Sequence, residues 1–140
     1  MSIEDFAFYI EGRISGRVAE IGVGFNFKVA LKLKELGLDV FVVDWNKGAV
    51  EKARELGLEA YVDDVFNPDL MLYEGVEALY SVRPTPEIVR PILKLAEKLG
   101  VPAYILPFSM DEMPRGLKLE NYRGLAIYTT EKFKPPLKKG

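Results

Sequence analysis

The sequence predicts an α/β domain built on a mostly parallel sheet, and two observations carry that prediction. Short apolar runs alternate along the whole chain with amphipathic segments of helical spacing, without a break in composition. Alternation of this kind makes a parallel sheet wrapped by helices, each crossover right-handed. The first apolar run, Val18 to Ile21, passes straight into Gly22-Val23-Gly24-Phe25-Asn26 and then into a helical pattern. That is the strand, glycine turn and helix of a nucleotide-binding, Rossmann-like unit.

Taken in order, Ile3, Phe6, Ala7, Ile10 and Ile14 have helical apolar spacing and predict an N-terminal helix over 3–14. After the first strand, Phe27, Ala30, Leu31, Leu33 and Leu36 predict a helix over 27–36, ended by Gly37. Asp39 to Val43 reads as a second strand, continuously apolar from Val40 as befits a strand buried on both faces. Asn46 caps a helix over 47–56 that Gly57 closes, and Ala60 to Val62 is a short third strand. Asn67-Pro68 has the form of a cap followed by proline, opening a brief helix through Leu72. Ala78 to Val82 is the fourth strand. Thr85-Pro86 repeats the cap-and-proline signal for a helix running to Leu99, with Gly100 behind it. Ala103 to Leu106 is the fifth strand, 107–123 reads as irregular, and Leu125 to Thr129 is a last strand. The expected architecture is a single three-layer domain over 1–140. Its sheet order is 3-2-1-4-5 plus a C-terminal strand, with the ligand crevice where strands one and four diverge.

Composition excludes several chemistries. Cysteine and histidine are both absent, which removes disulfides, thiolate nucleophiles, imidazole acid–base catalysis and His- or Cys-ligated zinc. A metal would have to sit on carboxylates, and no metal site is assigned. Many charges and no glutamine point to a heat-adapted source. No apolar run approaches the roughly 20 residues that span a bilayer, and Glu4 and Asp5 occupy the place of a basic leader region, so a cytoplasmic protein is expected. The formal charge of −2 is uneven, with Lys/Arg in excess after residue 100. The Lys132 to Lys139 tail can touch phosphates of a nucleic acid or can be a solvated terminus. A homodimer is left open.

The candidate site lies in the loops that follow the strands. Gly22 and Gly24 let the chain turn tightly beneath a ligand. A dinucleotide fingerprint has its third glycine where Phe27 stands, and the shorter methyltransferase pattern has it where Asn26 stands, a residue that tolerates the left-handed conformation. Asp44 ends the second strand, twenty residues after Gly24, where an acid accepts from ribose hydroxyls. Asp63-Asp64-Val65 follows the third strand; Asp64 is placed to accept from an adenine amine with the Val65 amide donating to the ring, while Asp63 is expected to face solvent. Glu20 precedes the glycine turn, where a negative charge repels phosphates and attracts an ammonium group; that favours S-adenosylmethionine over a dinucleotide. Arg83 follows the fourth strand and can clamp a carboxylate or phosphate. Ser109 and Glu87 are expected at the mouth, and Ser81 lacks the histidine that would make it a nucleophile. No catalytic base is named.

The constellation Glu20-Ile21-Gly22-Val23-Gly24, Asp44 and Asp63-Asp64-Val65 resembles the class I methyltransferase core that binds S-adenosylmethionine. More closely, Glu20 through Phe27, Asp63-Asp64-Val65-Phe66-Asn67-Pro68 and Tyr80-Ser81-Val82-Arg83-Pro84 look like the archaeal uncharacterised protein family UPF0146. That resemblance implies a Rossmann-like fold and leaves the activity open. Gly37-Leu38-Asp39-Val40 through Asp44, with Asp64 and Asn67-Pro68, is also similar to the NAD-binding regulatory domain of potassium transport proteins, which implies NAD as the alternative ligand. The functional expectation is therefore a protein that binds a small adenosyl ligand, either a minimal methyltransferase or a regulatory or interaction module.

Overall fold

The computed structural model describes residues 2–131. Seven strands form one sheet in the order β3-β2-β1-β4-β5-β7-β6. The first five are β1 (Arg17–Ile21), β2 (Asp39–Asp44), β3 (Glu59–Val62), β4 (Val76–Val82) and β5 (Ala103–Leu106), all parallel to one another. β7 (Leu125–Thr129) runs antiparallel to β5, and β6 (Lys118–Tyr122) runs antiparallel to β7. The helices are α1 (Asp5–Glu11), α2 (Lys28–Glu35), α3 (Lys47–Glu55) and α4 (Pro86–Leu99).

Side-chain alternation along each strand divides the core into two layers. Val18, Val40, Val42, Ala78 and Tyr80 face a cluster with Phe6, Ile10, Ala30, Leu33 and Val50 from the first three helices. Ala19, Ile21, Phe41, Val43 and Leu79 face the other way, against Ile92 and Leu95 of α4. This is the three-layer sandwich that the strand and helix alternation predicts.

Two local expectations are corrected. Asn67-Pro68 does not start a helix: Asp69 is the cap, its carboxylate accepting from Met71 N at 3.1 Å, and it begins only a 3₁₀ turn over Leu70–Tyr73. A cap signal needs a run of helical apolar residues behind it, and here only four residues lie between Asn67 and Leu72. The stretch read as irregular contains β6, so there are two C-terminal strands. β6 is an edge strand carrying Lys118, Glu120 and Asn121, and it offers little apolar periodicity to read. It exists because Arg123 (φ 50) and Gly124 (φ 84) form a two-residue hairpin loop with both φ values positive. The Tyr9 hydroxyl of α1 donates to Glu120 at 2.6 Å and fastens that edge to the body of the sheet. The expected phosphate contact of the Lys132 to Lys139 tail falls outside the described residues.

Candidate ligand-binding site

The parallel strands all end at one rim, and the chain must leave that rim to opposite faces after β1 and β4. The divergence opens a crevice. Gly22 (φ 68) and Gly24 (φ 58) take the left-handed conformation there. Gly22 is constrained a second time, because a Cβ at this position would stand 2.8 Å from Ile88 Cδ1. The amides of Gly22 and Val23 both donate to Val43 O, at 3.0 and 3.2 Å, which lays the turn against the end of β2.

Asp44 braces that turn. Its Oδ2 accepts from Gly24 N at 2.8 Å and its Oδ1 from Asn46 N at 2.9 Å. Asp44 is 8% exposed, so both bonds are partly shielded from solvent, and each oxygen keeps a second lone pair for a ligand hydroxyl. Helix capping falls to Asn46, whose Oδ1 accepts from Gly48 N at 2.8 Å, as its sequence position predicts.

Of the two acids after β3, one departs from its expected part. Asp63 does not face solvent: Oδ2 accepts from the Tyr73 hydroxyl at 2.6 Å and Oδ1 from Asp69 N at 3.1 Å, which ties the loop to the 3₁₀ turn. Burial and the neighbouring Asp63 carboxylate push the Tyr73 hydroxyl well above its ordinary value. Asp64 is the exposed member, with Oδ1 accepting from Phe66 N at 2.9 Å. Asn26 is corrected too. Among the described residues only Arg83 and Arg123 combine a side chain with positive φ, so Asn26 is no left-handed substitute for glycine. Its Oδ1 accepts from Lys28 N at 3.2 Å and occupies an amide at the start of α2. Phe27, where a dinucleotide fingerprint has glycine, is buried in the core.

Two lobes make up the crevice. The first encloses about 420 Å³ and is lined by Asp44, Asp63, Asp64, Val65, Glu87 and Ile88 among others; it contains four carboxylates and no Lys or Arg. The second encloses about 490 Å³ on the other side of the glycine turn, with Gly24, Phe25, Asn26, Arg83 and Phe108 in its wall. Gly22, Asp44, Trp45, Thr85 and Ile88 border both. Ser109 borders neither, so its expected place at the mouth is not met; Phe108 holds that place. Ser81 is buried and donates to Ile21 O at 2.7 Å, closing the seam between β1 and β4.

Glu20 lies on β1 between Val42 and Tyr80 and is completely buried. Burial is the main cause that pushes its carboxyl up from 4.5 to about 8; the facing Tyr80 hydroxyl holds it down a little and the Asp44 charge adds to the rise. Tyr80 is close enough to exert that pull, yet neither Glu20 oxygen nor the Tyr80 hydroxyl completes a hydrogen bond of good geometry. Glu20 borders neither lobe of the crevice, so its expected contact with a ligand's ammonium group is not seen in this structure. Arg83 has φ 48 in front of Pro84, a backbone conformation that costs an L-residue roughly 1–2 kcal/mol. Its amide donates to Leu106 O at 2.6 Å and holds it there. The contributions of Ile88 and Tyr73 carry no sequence signal, since each depends on a partner distant in the chain, whereas Phe108 is placed by its position after the fifth strand. Phe25, an aromatic residue exposed within a glycine turn, is a signal that sequence reading passes over.

Residues 3–132 match the model of the uncharacterised protein family UPF0146. A UPF0146 protein of Pyrococcus abyssi is 52% identical over 116 residues, 83% of this chain and 88% of that protein. Another, from Archaeoglobus fulgidus, is 36% identical over 128 residues, 91% of this chain and 94% of that protein. The Pyrococcus relative agrees with the heat-adapted composition. Among solved structures, an RNA methyltransferase from Salinibacter ruber in complex with S-adenosyl-L-homocysteine is similar with a TM-score of 0.66 at 14% identity, covering 98% of this chain and 96% of that one. A TehB-like SAM-dependent methyltransferase from Corynebacterium glutamicum is similar with a TM-score of 0.62 at 15% identity, covering 89% and 85%. At these identities the likeness is one of fold. No helix among the described residues is long and apolar enough to cross a membrane.

Proposed function

Because this chain belongs to the uncharacterised protein family UPF0146 and shares the fold of class I methyltransferases, we propose that its crevice binds S-adenosylmethionine. One observation carries the reading: the first lobe presents four carboxylates and no basic side chain. Such a wall repels a pyrophosphate and suits a nucleoside joined to a cation. The amide at the start of α2 that Asn26 occupies is likewise withdrawn from phosphate binding.

In this reading Asp44 accepts from the ribose hydroxyls with the lone pairs that its two backbone bonds leave. Asp64 accepts from the adenine amine, and Val65 lies against the ring. Gly22 and Gly24 make the turn beneath the methionyl part, Gly22 bordering the first lobe and Gly24 fixing Asp44 through its amide. Glu20, buried on β1 outside the lining of both lobes, acts on the ligand's ammonium group through its charge when ionised and not by contact. When bound, the ligand supplies a methyl group activated by a sulfonium. The chain's own contribution is to orient it towards the second lobe, and catalysis by alignment requires no histidine.

Calorimetry with S-adenosylmethionine, S-adenosylhomocysteine, NAD, NADH and ATP tests this. A preference for the two adenosyl-sulfur ligands, abolished by Asp44→Ala, is expected. A preference for NAD would replace the reading with that of a dinucleotide-sensing module, and indifference to the whole panel would leave an interaction protein.

A further inference from the structure

The second lobe differs in character from the first. Its charged lining consists of Asp44, whose oxygens already serve two backbone amides, and Arg83. Arg83 is exposed and makes no ion pair among the described residues; the side chain it meets is Phe108, with the guanidinium carbon 5.6 Å from the ring centroid. Three large aromatic side chains from three different loops border the same space while remaining 64% (Phe25), 77% (Trp45) and 51% (Phe108) exposed. Leaving that much aromatic surface in water around one cavity is unfavourable unless something flat covers it. Arg83 is the one cation of the lining, with no lysine or second arginine beside it, and with the Asp44 charge bordering the same space it suits a single carboxylate and not a polyanion.

We propose that this lobe receives a planar aromatic carboxylate, its carboxylate paired with Arg83 and its ring stacked among Phe25, Trp45 and Phe108. This binding site rests on the side chains of the second lobe and stands whether or not a sulfonium ligand fills the first. The left-handed backbone at Arg83 belongs to the same design, since it sets a long cationic side chain where a tight turn would otherwise call for glycine.

Trp45 is the one tryptophan in the sequence, so its fluorescence, excited at the red edge, reports on this lobe. The probes are benzoate, its neutral counterpart benzamide, the non-aromatic cyclohexanecarboxylate and phenyl phosphate, each titrated with and without saturating S-adenosylhomocysteine. Benzoate is expected to shift the Trp45 emission and to bind at least tenfold more tightly than the other three. Arg83→Gly relieves the backbone and so remains folded; it should lose benzoate at least tenfold, with Arg83→Lys intermediate. Equal binding of benzoate and benzamide, benzoate binding unaffected by Arg83→Gly, or a preference for phenyl phosphate would overturn the proposal. Binding of S-adenosylhomocysteine without benzoate would leave the cofactor reading intact and remove this one. Benzoate binding in a protein indifferent to S-adenosylhomocysteine would keep the aromatic-carboxylate site and end the cofactor reading.

Discussion

Replacing Glu20 by glutamine should make the protein more stable and its ligand weaker, and the two effects should depend on pH in a defined way. The carboxyl is completely buried and its proton is held up to about 8 instead of the ordinary 4.5, chiefly because burial penalises the charge. Between those two values the folded chain retains a proton that the unfolded chain has released. Stability contributed by the neutral carboxyl is therefore fully present in acid and is lost as pH rises through the window, being gone above about 8. At 1.36 kcal/mol per tenfold change in proton activity, the whole interval corresponds to about 5 kcal/mol. Relaxation around an ionised Glu20 reduces this, so about 3 kcal/mol is expected. Glutamine keeps the shape of the protonated acid and does not titrate. Glu20→Gln and the parent should melt together near pH 5 and part by about 9 °C at pH 9, taking about 3 °C per kcal/mol for a domain of this size. Circular dichroism melts and urea titrations at both pH values measure it. An offset equal at pH 5 and pH 9 would show that burial of this charge is not the cause. The ligand arm uses the same proton: attracting an ammonium requires the ionised carboxylate. Calorimetric heats of S-adenosylmethionine binding near pH 7 should then vary with the ionisation enthalpy of the buffer, and that variation should vanish in Glu20→Gln.

Three further outcomes follow from the site. Asp44→Ala removes the acceptor of two partly shielded backbone amides and should cost about 2–4 kcal/mol in urea unfolding as well as adenosyl binding; Asp44→Asn, which can satisfy those amides, should recover part of the stability. Gly22→Ala meets both a positive φ and a 2.8 Å approach to Ile88, so it should destabilise by about 2 kcal/mol. Adding Ile88→Val should return the steric part and leave the conformational part. Tyr73→Phe loses the 2.6 Å bond to Asp63 and should lower stability by about 1–2 kcal/mol. It should weaken S-adenosylmethionine less than Asp64→Ala does, because Asp63 holds the loop while Asp64 faces the lobe; equal losses would contradict that division.

The strands of the parallel sheet and their helices were legible because each strand is a continuous apolar run between a glycine or polar turn and an amphipathic helix. That pattern is local, and the handedness of crossovers converts it into a strand order. Gly22, Gly24 and Asp44 were legible for a related reason: backbone conformation and position at a strand end are properties of neighbours in sequence. β6 was not, since an edge strand of mixed polarity is stabilised by its hairpin and by Tyr9 on a helix more than a hundred residues earlier. The same limit explains why Asp63 does not face solvent as expected. Two adjacent identical acids differ only in what they meet, and Tyr73 reaches Asp63 across a turn that sequence spacing does not describe. Sequence by itself determined the fold class, the rim on which the candidate site lies and the absence of cysteine and histidine from it. Tertiary structure decided that Glu20 is buried against Tyr80, that the crevice has an acidic lobe and an aromatic one, and that Arg83 and Phe108 share the second. Burial and juxtaposition are set by residues far apart in the chain, and only packing brings their charges and rings within range of one another.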